Sequence, residues 1–152
     1  MTTSAAERSA RLSSARVAVF FALFSVAPGL LYHYVQDHGR ALAADAQGFA
    51  RIALDVAPNA LGALAASSAI FVMGLGLARN RSLLSVALIS AAVAIGGLVA
   101  WEFAQLAIPE ATFDLEDLKW TLVGGAAFLI AASGFFPLAS TSAGPTPPTA
   151  NN

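Results

Sequence analysis

Four long apolar runs, separated by short polar clusters, dominate the chain: about Val17 to Val35, Val56 to Ala78, Leu83 to Ala107 and Leu118 to Leu138. Crossing the hydrocarbon core of a bilayer takes roughly 20 helical residues, and each run is of that order. A spanning segment must satisfy its own backbone N–H and C=O groups, and none of the runs alternates apolar and polar residues as a barrel strand does. The pattern predicts an all-α fold, a four-helix transmembrane bundle over residues 16–139. The Ser/Ala-rich residues 1–15 and the tail 140–152, which holds the Pro/Thr/Gly run TSAGPTPPTANN, are expected to be disordered. The first run follows Arg8, Arg11 and Arg16 as a secretory signal would, but it is too long and lacks a small-residue cleavage site, so it reads as a retained span.

Inside the spans, Pro28 and Gly29 are expected to loosen the first helix, because proline removes an amide from the helical ladder. Helix contacts in lipid depend on close backbone approach, so small residues four apart mark interfaces. Gly62 with Ala66, and Ala92 with Gly96 and Ala100, have that spacing, the alternative being chance in an alanine-rich chain.

Composition supports lipid as the solvent: of 152 residues 57% are hydrophobic and 11% charged, with a mean hydropathy of +0.70. The absence of cysteine excludes disulfides and thiolate metal sites. A net charge of −1 without any basic run argues against nucleic acid as a partner. Lys and Arg beside the spans place both termini in the cytoplasm: Arg8, Arg11, Arg16, Arg79 and Arg81 fall inside, against Arg40, Arg51 and Lys119 outside. Among the acids only Glu7 lies inside. Asp37, Asp45, Asp55, Glu102, Glu110, Asp114, Glu116 and Asp117 fall on or near the outer side, where any chemistry is therefore expected.

The two outer hairpins echo one another. The first helix ends YHYVQ (Tyr32 to Gln36) and the third ends WEFAQ (Trp101 to Gln105). The second helix begins with Asp55, Asn59 and Gly62, and the fourth carries Asp117, Thr121 and Gly124 at the same internal spacing. Duplication of one helical hairpin, both copies inserted in the same direction, would produce this and set His33 against Glu102; coincidence is the alternative.

Glu102 and Gln105 share a face one turn from the outer end of the third helix, and an acid at such depth is costly unless paired or watered. Asp114 and Asp117 frame the first turn of the fourth helix, where capping alone accounts for them. The functional alternative joins all four into a carboxylate-rich pocket at the membrane surface, able to hold a hard cation or an ammonium group. Arg51, Asp55 and Asn59 lie one turn apart on one face of the second helix, so Arg51 is expected to pair with Asp55, and Asn59, deeper, needs a partner. Arg51 is also the candidate for anchoring a phosphate. Tyr32, Tyr34 and Trp120 fit an interfacial aromatic belt. His33 and His38 are too isolated for a metal site, and no cofactor is expected.

The stretch WEFAQLAIPEATFDLEDLKWTLVGG resembles the C-terminal signature of VanZ-like membrane proteins, in which a helix ending Glu-x-x-Gln is followed by a short loop, Asp-x-x-Asp and a helix carrying Asn and Gly. The matching residues are Glu102, Gln105, Asp114, Asp117 and Gly124, and DVAPNALG, with Asp55 and Asn59, resembles the family's polar start to its second helix. Thr121 stands at the Asn position, and the Arg common in the loop before the aspartates is missing from PEATFD. The resemblance covers about two thirds of the chain and implies a four-span protein of the bacterial cell membrane and envelope, some of whose relatives reduce sensitivity to lipoglycopeptide antibiotics such as teicoplanin. It implies a site that binds a polar lipid, glycan or lipoglycopeptide headgroup at the outer face, formed by Glu102, Gln105, Asp114, Asp117, Arg51, Asp55 and Asn59. Membrane lipids or an envelope glycolipid are the expected partners, with a homo-oligomer also open. The alternatives are a structural or assembly subunit of a membrane complex, and an enzyme acting on a lipid-linked substrate with two carboxylates as acid and base.

Overall fold

The computed structural model describes residues 14–78, 81–108 and 113–136, apart from the side chains of 40 and 42–45. The termini expected to be disordered, up to residue 13 and from 137, lie outside the described residues, as do Arg79, Asn80 and Glu110. The chain is a multi-pass membrane protein of four helices, each long and apolar enough to cross a bilayer, and no strand occurs among the described residues.

Helix α1 carries the apolar span Ser14–Gly39 and continues, through a π-helical turn at Ala22–Val26, as Ala27–Asp45. The expected loosening at Pro28 takes the form of that wide turn: the Ala27 amide donates to the Ala22 carbonyl, five residues back, and the helix goes on unbroken. Ser25, in the same turn, donates to the Ala65 carbonyl at 3.2 Å and ties α1 to its neighbour. Helix α2 spans Phe49–Leu77, α3 Leu83–Gln105 and α4 Leu115–Phe135. Side-chain caps start the last two, Ser82 accepting from the Ser85 amide at 3.1 Å and Asp114 from the Glu116 amide at 2.8 Å.

The link between α1 and α2 is far shorter than the hydropathy pattern suggests. It consists of Ala46 to Gly48, with Gly48 at a φ of 58° making the reversal that only glycine makes cheaply. The polar residues on either side lie on helical extensions instead. The 29 residues of α2 span about 43 Å, well over the ~30 Å hydrocarbon core.

Helix α2 is central and packs against each of the other three, whereas α1 and α3 make no comparable contact with each other. At one end of the bundle the core is aromatic. Phe20, Phe71, Phe128 and Phe136, all buried, meet edge to face, with Phe71 centred 5.7 Å from both Phe20 and Phe128. Val86, Ala87 and Ala91 of α3 complete the cluster.

Small residues set the closest approaches, but not all where spacing alone put them. Ala92, Gly96 and Ala100 are exposed, and Gly96 has nothing within 4 Å of where a Cβ would stand, because α3 turns this stripe away from the bundle. Gly62 lies 3.5 Å, measured from a built Cβ, from the Tyr32 ring. The tightest contact is Gly124 of α4, whose added Cβ would overlap the Ala60 carbonyl and stand 2.8 Å from the Ala63 Cβ of α2. Gly124→Ala is therefore expected to force α2 and α4 apart and cost about 1 to 3 kcal/mol, while Gly96→Ala leaves stability unchanged. Thermal unfolding of both variants in one detergent checks the contrast; equal effects would contradict this packing.

Candidate functional site

At the opposite end of the bundle, where α1 and α3 finish and α2 and α4 begin, the helices enclose a polar cavity of about 490 Å³. Each helix contributes residues at its own helical period, so whole faces converge. Helix α1 brings Tyr32 and Gln36; α2 brings Asp55, Asn59 and Gly62; α3 brings Leu98, Trp101, Glu102 and Gln105; α4 brings Asp117 and Thr121. Pro58 of α2 also lines it and, having no amide, leaves the Leu54 carbonyl without its helical partner.

Asn59, expected to need a partner, donates from Nδ2 to Asp117 Oδ1 at 2.5 Å, joining the two hairpins across the cavity. Gln36 Nε2 donates to the Tyr32 hydroxyl at 3.4 Å on the α1 side. Thr121 and Glu102 are buried, at 2% and 7% exposure, and Glu102 Oε2 has no hydrogen-bond partner although it is sealed from solvent. That combination is rare, since buried polar atoms are overwhelmingly paired.

Of the residues proposed from the sequence, Asp55, Asn59, Glu102, Gln105 and Asp117 line this cavity; Asp114 and Arg51 do not. Asp114 caps α4 through the Glu116 amide, as the simpler reading had it. Arg51 is exposed on the stretch of α2 beyond the cavity and forms no ion pair with Asp55, which turns toward the cavity instead. Among the described residues the one side-chain ion pair is Lys119 with Glu116, on the surface of α4. His33 is exposed and packs edge-on against Tyr32, away from Glu102. Tyr32, Gln36, Trp101 and Thr121 were not proposed as site residues, yet all are positions of the hairpin echo, which was the signal that marked them.

The lining holds three carboxylates, two carboxamides and a hydroxyl on Thr121 and on Tyr32, and no Lys or Arg. Acceptors dominate, so the site suits a ligand rich in donors or positive charge. No group of three His, Cys, Asp or Glu side chains close enough to hold a metal ion occurs among the described residues, which leaves the ammonium alternative ahead of the hard cation. Two turns below Asn59, Ser67 and Ser68 have unpartnered hydroxyls, and one further turn along α2 lies Phe71 of the aromatic cluster, so the polar line stops within the bundle.

No family model matches the chain, and neither a curated protein nor a solved structure matches it.

The Asn59 to Asp117 bond predicts energetic coupling between α2 and α4. In a double-mutant cycle with Asn59→Ala and Asp117→Ala the interaction energy is expected at about 0.6 to 1.7 kcal/mol, the range for polar side-chain bonds between membrane helices. A coupling indistinguishable from zero would remove this bond as a tie.

Proposed function

We propose that this chain is a binding protein of the cell membrane and envelope, holding the polar headgroup of a lipid, glycan or lipoglycopeptide in the cavity between its hairpins. One observation carries this reading: a buried carboxylate oxygen, Glu102 Oε2, is left without a partner in a cavity of about 490 Å³ that all four helices line. That volume lies within the usual range for small-ligand sites. The Lys and Arg distribution puts the cavity on the outer face with both termini in the cytoplasm. The VanZ-like resemblance in Glu102, Gln105, Asp117, Asp55 and Asn59 supports the same envelope role.

A structural or assembly subunit is the second reading, and the capping by Asp114 favours it. The two differ over Glu102. A side chain retained for folding makes bonds, whereas an unpartnered buried carboxylate costs stability and is kept for another reason. Glu102→Leu is therefore expected to raise the thermal stability of the purified protein by about 1 to 3 kcal/mol, and the structural reading expects a loss. Protein extracted with its native lipids should retain a polar amphiphile, identified by mass spectrometry, that the Glu102→Ala, Asp117→Ala double variant loses. Retention of the same molecules by both proteins would count against a headgroup site.

The envelope role has its own test. Cells lacking the protein, complemented with wild type or Glu102→Gln at matched membrane levels, are expected to differ in a growth-inhibition panel of envelope-active compounds that includes teicoplanin. Equal rescue by the two would reduce Glu102 to an interfacial anchor.

A further inference from the structure

We infer that the cavity recognises an organic ammonium group, a primary amine carried by a lipid headgroup or a sugar, with Glu102 as its buried counter-charge and Tyr32 and Trp101 as aromatic walls. This rests on the headgroup reading and narrows its chemistry.

The first argument is charge. Asp55, Glu102 and Asp117 line the cavity, and the nearest basic side chains in sequence are unavailable to them: Arg51 is exposed outside it, and Lys119 is engaged with Glu116. An anion entering here meets carboxylates and no cation. A neutral glycan leaves the Glu102 carboxylate buried and uncompensated, the arrangement that proteins avoid most strongly. An ammonium group supplies three donors and a positive charge to the atom that lacks a partner.

The second argument is distribution. Asp117 already accepts from Asn59, so part of its acceptor capacity is used within the protein. Glu102 Oε2 is not used at all, which makes Glu102 the anchor and Asp55, exposed at the mouth, the group first met. The third argument is the walls. Tyr32 from α1 and Trp101 from α3 bring two electron-rich ring systems to the same cavity, and a cation within about 6 Å of such a ring is attracted to its face. Acids and aromatics without basic residues suit an amine. They do not suit a phosphate, so any phosphate of a lipid ligand stays outside the cavity.

The test uses the full chain carrying Trp120→Phe, which leaves Trp101 as the one tryptophan, in discs of phosphatidylglycerol, a lipid without an amine. Trp101 fluorescence is followed on titration with glucosamine and N-acetylglucosamine, and with dihexanoylphosphatidylethanolamine and its N-acetyl derivative. At least one amine is expected to bind roughly tenfold to a hundredfold more tightly than its acetylated partner, the size of a hydrogen bond to a charged group. Glu102→Gln, which keeps the side-chain volume, is expected to erase that preference. Discrimination by the sugar pair alone identifies an amino sugar as the source, and by the lipid pair alone a lipid headgroup; either supports the inference. Equal binding within both pairs, an undiminished preference in Glu102→Gln, or no response to either amine overturns it. The ammonium assignment then fails by itself, and the retention of native amphiphiles described above decides separately whether a headgroup site exists.

Discussion

Gly124 has no side chain, and that lets α4 settle onto the backbone of α2 at Ala60 and Ala63. In lipid the apolar surface of a helix gains nothing by meeting another apolar helix, so association rests on packing and on the polar bonds that packing permits. The consequences run outward from this contact. Asp117 lies seven residues before Gly124, two turns along the same face, and so faces α2 where Asn59 can reach it. Thr121, between them, is buried by the same approach. Because α2 also packs on α1 and α3, the height of this contact sets how the second hairpin stands against the first, and with it the width of the cavity above.

The two ends of the bundle are built on opposite terms. At the aromatic end Phe20, Phe71 and Phe128 fill the space completely, and edge-to-face ring pairs contribute about 0.5 to 1.5 kcal/mol each beyond simple burial. At the other end the same helices part around carboxylates and carboxamides. A closed aromatic end below an open polar end gives a site reached from one side. The surface acids each have a folding role, Asp114 as a cap and Glu116 as the partner of Lys119. Glu102 has none, and it lies on the helix whose other buried positions are small or apolar except Ser90, which bonds its own backbone at Val86.

Hydropathy made the four spans and the all-α class legible, because lipid demands long apolar helices and little else satisfies the backbone there. It misjudged the link after α1, because Arg51 and Asp55 lower the apolar average without breaking a helix that is free to project into water. Small-residue spacing found Gly62 but also selected the exposed Ala92, Gly96 and Ala100, since a period along one helix does not say which way that face turns. Charge spacing suggested an Arg51 to Asp55 pair, and the cavity drew Asp55 elsewhere. The aromatic cluster was not anticipated: phenylalanines scattered over α1, α2 and α4 share no local pattern, and only the assembled bundle brings them together.

The hairpin echo gains a physical meaning from the cavity. Tyr32 and Gln36, Trp101 and Gln105, Asp55 and Asn59, Asp117 and Thr121 are each pairs four residues apart, and all of them line the same space. A helix that presents two successive turns to a cavity has to place its polar residues at that interval, so two hairpins that share one cavity acquire matched spacings with or without a common origin. Spacing therefore carries no history here. Identity carries function instead, because the echoed positions differ where the chemistry differs. His33 is exposed where its counterpart Glu102 is buried, and Thr121 replaces the carboxamide found at Asn59. The halves thus supply one bond across the cavity, from Asn59 to Asp117, and one unmatched acid. A pocket of equal halves would bind along its axis, but this one has its unsatisfied acceptor on the α3 side and holds its ligand off centre.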